Sequence, residues 1–341
     1  MYKENKTQVS ICIPVFNRED MILDAIKSVQ NQTLYDIEIV VVDNASTDNT
    51  YSKVFDEAQK DKRIKLYKNK NNIGALKNFY RCIELASSEY VVLLGSDDWL
   101  EKNFVESRLN GFLLNPDVAI VSGPVKIFEE YCNHKVVLKA KYKYRAKKIL
   151  FDEIIFNFYR KFILSYFCMF RKKDIYNNFH FCYDDPFQWG VYEKGLGLDL
   201  INCLSIIIKS KSHAIYYTDR GYYCFRNHKQ RESEDLRSKA QGLNKTIKDF
   251  TYNTFLFGTY LRNLGSNYEK KFLQYKFQEL SYEIFREIVI YKKVNKDFFK
   301  LIKEYIRINQ INFLSVLTTL IFFPFYCIKR LVYFYSRKFI L

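Results

Sequence analysis

The chain has 341 residues, 48% of them hydrophobic, enough to bury a large core; this excludes a disordered protein and fits one sizeable catalytic unit with an appendage. Lys and Arg total 54 against 38 Asp and Glu, a formal charge of +16, which calls for an anionic partner: nucleic acid, a phosphorylated substrate or an acidic membrane face. Nucleic acid is disfavoured, because the basic residues are spread along the chain and no zinc-finger, RNP or helix-turn-helix signature occurs.

The first hundred residues alternate between short apolar runs and stretches with helical spacing. The pattern predicts strands at Val9–Phe16, Ile37–Asp43, Ile64–Tyr67 and Tyr90–Leu94, separated by helices at Glu19–Gln32, Asp48–Lys60 and from Gly74 to Ala86. A helix at about Glu101–Leu114 and a strand at Val118–Ser122 follow, with Pro116-Asp117 as the turn between them. Strand and helix taking turns is βαβ connectivity, and it implies an α/β fold with a mostly parallel sheet flanked by helices.

Beyond Gly123 the patterning weakens. A stretch rich in Lys and Tyr runs from Lys135 to Lys148, a helix is expected around Phe187–Lys209, and Tyr216–Phe225 reads as a strand pair ending in Arg226-Asn227-His228. Glu232–Arg307 is polar and helix-compatible, giving a catalytic domain at 1–230 and a C-terminal helical domain at 231–308. The last segment, 309–341, contains the uncharged run INFLSVLTTLIFFPFYCI, followed by Lys329, Arg330, Arg337 and Lys338. Eighteen residues interrupted by Pro324 fit a helix lying in a bilayer interface better than a straight span; a buried helix closing the core is the other reading. Eight cysteines without a CxxC pair, and an N-terminus without an apolar signal core, point to reduced thiols in the cytoplasm.

Three of the predicted strands end abruptly in polar residues. VSICIPVFNR places Pro14 and Asn17 at the first strand end, where exposed backbone amides can border a nucleobase. VVDNASTDNT puts Asp43 at the second, where its carboxylate can accept from a uracil or thymine imide or, alternatively, cap the next helix. YVVLLGSDDWL ends the fourth in Gly95-Ser96-Asp97-Asp98. Adjacent carboxylates after a buried strand are costly to hold together without a cation, and hard oxygen ligands select Mg²⁺ or Mn²⁺; an acidic capping turn is the bland alternative. Between these, Asn72, Gly74 and Lys77 stand at a helix start, where free N–H groups and a cation could meet phosphate.

Together the three segments, over roughly Gln8–Gly123, resemble the donor-binding half of a family 2 glycosyltransferase with the GT-A (Rossmann-like) fold. The bacterial surface-polysaccharide transferases of the abequosyltransferase-like subset, with Gly-Ser-Asp-Asp where others have Asp-x-Asp-Asp, are the nearest in pattern. The resemblance implies that Asp43 reads the base, that Ser96 borders the nucleotide, that Asp97 and Asp98 hold the metal, and that Tyr223–His228 matches the YRxH segment, with Arg226 and His228 reaching the diphosphate. It also implies a catalytic Asp beyond the metal motif. Asp185, at a Pro-initiated helix start, matches best, with Glu193 and Asp199 as rivals because the usual Glu-Asp pair is missing.

The function so implied is metal-dependent, inverting transfer of one sugar from a nucleoside-diphosphate donor to a lipid-linked saccharide, at the inner face of the plasma membrane. Processive synthases carry Gln-x-x-Arg-Trp and several spans, and this sequence has neither. An inactive nucleotide-binding or scaffold module of a polysaccharide assembly complex is the alternative, since Gly95 cannot ligate. A nucleotidyltransferase would need a Gly- and Arg-rich loop, which VFNRED lacks.

Overall fold

The computed structural model describes residues 7–131, 135–150, 165, 167–178 and 198–228, all within the first of two units of the chain, Met1–Glu234. The predicted domain at 231–308, the segment 309–341, Asp185 and Glu193 lie outside the described residues.

In chain order the elements are β1 Val9–Val15, α1 Ile22–Gln30, β2 Ile37–Asp43, α2 Thr50–Lys60, β3 Ile64–Lys68, α3 Ala75–Leu85, β4 Tyr90–Leu93, β5 Trp99–Leu100, α4 Phe104–Leu114, β6 Ile120–Ser122, β7 Val125–Tyr131 and β8 Lys135–Tyr142. Then come β9 Lys147–Leu150, β10 Met169–Arg171, α5 Lys172–Asn177, α6 Leu198–Lys209, β11 Ala214–Tyr217 and β12 Tyr223–Asn227. Asp199 falls in α6.

An eight-stranded sheet runs β3-β2-β1-β4-β10-β6-β11-β9. Its first four strands are parallel, and every residue of β1 and β2 is buried, as expected of strands covered on both faces. The second half is mixed, because β10 enters antiparallel between β4 and β6. The expected α/β class therefore holds, with parallel pairing concentrated around β1. Pro14 sits within β1, beyond its last pair with β4, so its missing N–H leaves no ladder bond unmade.

Helix α1 buries Ile22, Ala25, Ile26 and Val29, one stripe at helical spacing, while α3 packs over β1 and β2 through Asn78, Cys82 and Ile83. Helix α4 lies close on β6, where a Cβ on Gly111 would come within 2.6 Å of Val121 Cγ1. Described cysteines 12, 82, 168, 203 and 224 are all buried thiols outside any disulfide; burial pushes the Cys12 and Cys82 thiols far up and Cys224 up to about 12.

One expectation of the second half is corrected. The residues read as a strand pair at Tyr216–Phe225 form two strands in different sheets: β11 pairs with β6 and β9, whereas β12 joins a four-stranded sheet ordered β5-β12-β7-β8. The turn between them explains the transfer. Gly221 has φ +69°, and a Cβ there would meet Phe104 Cα at 2.6 Å, so the chain passes tightly over α4 and leaves the first sheet. The buried Arg108 guanidinium holds that turn from below, donating to the carbonyls of Arg220 (2.8 Å) and Gly221 (3.1 Å).

Candidate active site

Because β1 connects to β2 on one side while β4 lies on its other, the strand order reverses at β1, and a crevice opens at the carboxyl ends of these strands. The polar strand ends of the sequence meet there. After β1 and β2, two loops are stitched together: Asn17 N–H donates to Ser46 Oγ at 3.0 Å, Thr47 N–H donates to Asn17 Oδ1 at 2.9 Å, and Arg18 N–H donates to Thr50 Oγ1 at 2.8 Å. Asn17 (φ +49°) and Ala45 (φ +61°) both occupy the left-handed region, unusual for non-glycine residues and characteristic of functional loops.

Asp43 ends β2 and is fully buried. Its Oδ2 accepts from Ser46 N–H at 3.1 Å, while Oδ1 meets no hydrogen-bond donor among the described residues. Capping of α2 belongs to a different residue, Asp48, whose Oδ1 accepts from Thr50 N–H at 3.0 Å. An unmet buried carboxylate oxygen is expensive to keep, which marks Asp43 Oδ1 as an acceptor wanting a donor at the end of β2.

Beside it lies a cluster of asparagines. Asn44 donates to Asn72 Oδ1 at 2.8 Å and accepts from Ile73 N–H at 3.0 Å; Asn69 donates to Asn44 and to Asn78, and Asn78 donates to the Val42 carbonyl at 2.9 Å. Asn72 also accepts from Gly74 N–H at 2.9 Å. Gly74, at φ +85°, immediately precedes α3, and the exposed Lys77 stands in its first turn. Of this cluster the sequence proposed a phosphate contact only for Asn72; Asn44 and Asn78 lay within the quoted motifs without a role of their own, and Asn69 gave no signal beyond being an amide near a strand end.

The Gly95–Asp98 loop follows β4 and faces β12. A Cβ on Gly95 would lie 2.8 Å from Asp97 Oδ1 and 3.0 Å from Asp98 Oδ2, so glycine here lets both carboxylates fold back over the backbone. Ser96 is buried. His228, just past the end of β12, points a ring nitrogen at Asp97: Nε2 lies 3.0 Å from Oδ2. The other His228 nitrogen, Nδ1, is buried with no hydrogen-bond partner among the described residues. Asp98 is engaged at both oxygens, Oδ2 accepting from the Tyr223 hydroxyl at 2.8 Å and Oδ1 from Arg226 N–H at 2.8 Å. The Arg226 side chain is buried, paired with Asp24 of α1, 3.9 Å from Glu130, and stacked over Trp99 at 5.1 Å. Asp24 and Tyr223 are thus site residues to which the sequence reading gave no role.

Among the described residues no three His, Cys, Asp or Glu side chains converge as a metal cage. A carboxylate and an imidazole in contact, with a second carboxylate adjacent, still fit an ion that takes most of its ligands from a bound diphosphate and water, as Mg²⁺ commonly does. A nitrogen donor in the set favours Mn²⁺ over Mg²⁺.

The family model described as glycosyl transferase family 2 matches residues 10–179, the stretch that carries this crevice. The N-terminal half of the chain is a family 2 glycosyltransferase domain. Its relatives include an abequosyltransferase, RfbV, of Salmonella typhimurium, 35% identical over 99 residues, or 28% of this chain and 29% of the relative. A GalNAc(5)-diNAcBac-PP-undecaprenol beta-1,3-glucosyltransferase of Campylobacter jejuni is 40% identical over 94 residues, 27% of this chain and 30% of the relative. The chain spans well under two thirds of the length of either relative. In structure the chain is similar to S. aureus TarS residues 1–349 in complex with UDP-GlcNAc, with a TM-score of 0.61, 20% identity, and coverage of 88% of this chain and 81% of that one. That likeness establishes the GT-A fold.

Proposed function

We propose that the chain transfers a single sugar from a nucleoside-diphosphate-sugar to a lipid-linked saccharide of a bacterial surface polysaccharide such as capsule or O-antigen, with inversion and with a divalent cation. The observation that carries this reading is the unmet Oδ1 of buried Asp43 on β2, two strands away from the Asp97–His228 pair after β4. Two inter-strand steps span about 9–10 Å, the separation between a nucleobase and its diphosphate. TarS has been crystallised with UDP and with UDP-GlcNAc, and the Campylobacter relative is named for an undecaprenol-linked acceptor; both support a nucleotide-sugar donor and a lipid-linked acceptor here.

In this mechanism Asp43 accepts the imide N–H of the base, the backbone of Asn17 and Ser96 borders the nucleotide, and the α3 start at Gly74, with Asn72 and Lys77, faces the phosphates. Asp97 and His228 would hold the cation with the diphosphate, with Asp98 beside them; Mn²⁺ or Mg²⁺ there stabilises negative charge on the departing nucleoside diphosphate. Asp185, with Glu193 and Asp199 as the alternatives, takes the proton of the acceptor hydroxyl. The hydroxyl oxygen forms a bond to the anomeric carbon as the bond to the β-phosphate oxygen breaks on the opposite face. Arg226 reaches the diphosphate only by exchanging Asp24 for phosphate, a substitution of one anion for another that a bidentate guanidinium can make. The site works at the cytoplasmic membrane face, where the acceptor's lipid is anchored and acidic headgroups meet a chain of charge +16.

Thermal unfolding with a panel of nucleoside diphosphates, each with and without Mn²⁺, tests the reading. One diphosphate should raise the melting temperature only when Mn²⁺ is present, and Asp97→Ala should abolish that rise along with metal-dependent turnover of the cognate nucleotide-sugar. A response to no diphosphate, or full turnover by Asp97→Ala, overturns it.

A further inference from the structure

Resting on that reading of the site, we propose that the two neighbouring acids divide their labour: Asp97 faces the ligand, and Asp98 is a strut that fixes the loop, with Tyr223 as a positioning residue acting through it. The Tyr223 hydroxyl donates to Asp98 Oδ2 at 2.8 Å and accepts from Gly95 N–H at 3.2 Å, while Asp98 Oδ1 accepts from Arg226 N–H at 2.8 Å. A further bond, from Asp98 N–H to the Gly95 carbonyl at 3.0 Å, closes the turn internally. Both ends of the loop are thus tied to one strand, β12, through a single carboxylate and a single hydroxyl.

Burial sets the weight of this clamp. Asp98 is 2% exposed and Tyr223 is 5% exposed, with its ring packed edge-on to Phe104 and tilted against Phe167. A tyrosine whose ring is held on two sides places its hydroxyl rigidly, and its two hydrogen bonds gain strength away from water. Asp97 differs: its side chain is the more exposed of the two, and its Oδ2 meets the His228 ring instead of the Tyr223 hydroxyl and the Arg226 N–H. His228 in turn follows β12 by one residue, so the clamp that fixes the loop against β12 also fixes the distance between Asp97 and His228. Gly95 completes the device, since any Cβ there would push into the carboxylates that the clamp gathers. A departure from Asp-x-Asp-Asp at that position is therefore built into the geometry of this loop.

The test separates strut from ligand with two readouts on the full chain. One is Mn²⁺ affinity in the presence of the diphosphate selected by thermal shift, read from the electron paramagnetic resonance of free Mn²⁺. The other is hydrogen exchange at the Gly95 and Arg226 amides, which reports the clamp whether or not metal binds. Asp97→Asn should weaken Mn²⁺ at least thirtyfold while leaving both amides protected. Asp98→Asn and Tyr223→Phe should each weaken Mn²⁺ less than fivefold. Tyr223→Phe should speed exchange at Gly95 at least tenfold, and Asp98→Ala, which unlike Asn leaves no side-chain oxygen to accept, should do so at Arg226. The double variant should be no worse for Mn²⁺ than the worse single. If Asp98→Asn matches Asp97→Asn in Mn²⁺ loss with both amides still protected, Asp98 is a ligand and the proposal is wrong. Should wild type take up no Mn²⁺ at all, the metal-dependent reading fails while the amides still decide the strut: protection lost at Gly95 in Tyr223→Phe and at Arg226 in Asp98→Ala sustains it, and protection kept in both overturns it.

Discussion

Asp43 binds its own loop with one oxygen, while the other is buried without a hydrogen-bond partner among the described residues. If that second oxygen accepts from a base imide, replacing the carboxylate by an amide should weaken recognition without loosening the loop, because an Asn Oδ1 can still accept from the Ser46 N–H. A charge-assisted hydrogen bond exceeds a neutral one by about 1 kcal/mol or somewhat more, so Asp43→Asn should weaken the selected nucleoside diphosphate roughly tenfold by calorimetric titration, with a nearly unchanged melting temperature. Unaltered affinity would remove Asp43 from base recognition. This residue was legible because a lone carboxylate at the end of an otherwise apolar run stands out. Tyr223 and Asp24 were not: a tyrosine's role depends on what its hydroxyl meets across 125 or more residues of chain, and nothing local encodes that.

At the scale of elements, β1 to β4 and their helices were readable because β1, β2 and β4 are mainly apolar runs, β3 interleaves apolar and basic residues, and the helices carry apolar stripes, all local patterns. Boundaries moved by a few residues where loop chemistry intervened. Helix α4 begins at Phe104 and not Glu101, because Trp99–Leu100 are drawn into a short strand against β12. The later strands escaped because they are short and paired across long distances: Met169–Arg171 is three residues long and lies between β4 and β6. Helix α3 carries a stability consequence. Asn78 donates to the Val42 carbonyl of β2 and accepts from Asn69, and both partners are buried. Asn78→Ala strands those groups, at a cost of about 1–3 kcal/mol, which in a unit of this size lowers the melting temperature by roughly 3–10 °C. It should also weaken diphosphate binding by loosening the Asn72–Gly74 turn, and an unchanged melt would show that the cluster contributes no stability.

For the whole molecule, the excess of cations includes an acid-free run at a sheet edge. Lys135 to Leu150, covering β8, the turn and β9, holds seven basic residues and no acid, and β8 is the edge of its sheet. Some of these are paired across the sheet, Lys139 with Glu129 and Lys148 with Asp117, while Lys143, Arg145 and Lys147 are exposed and Val137 and Leu138 beside them are also open to solvent. Among the described residues no helix is long and apolar enough to cross a membrane; the surfaces proposed to meet a bilayer are this basic edge and the uncharged run at 311–328 with its trailing cations. The two contributions respond differently to salt. Each basic side chain near an anionic leaflet contributes about 1 kcal/mol that fades beyond a Debye length, whereas apolar insertion is nearly insensitive to ionic strength. The full chain should therefore sediment with vesicles containing phosphatidylglycerol more than with neutral ones. Replacing Lys143, Arg145 and Lys147 together by Gln should cut that binding at least tenfold at low salt and flatten its salt dependence. Removing 309–341 should shift the chain to the supernatant even at low salt; equal recovery with and without that segment would leave the enzyme with no membrane anchor of its own.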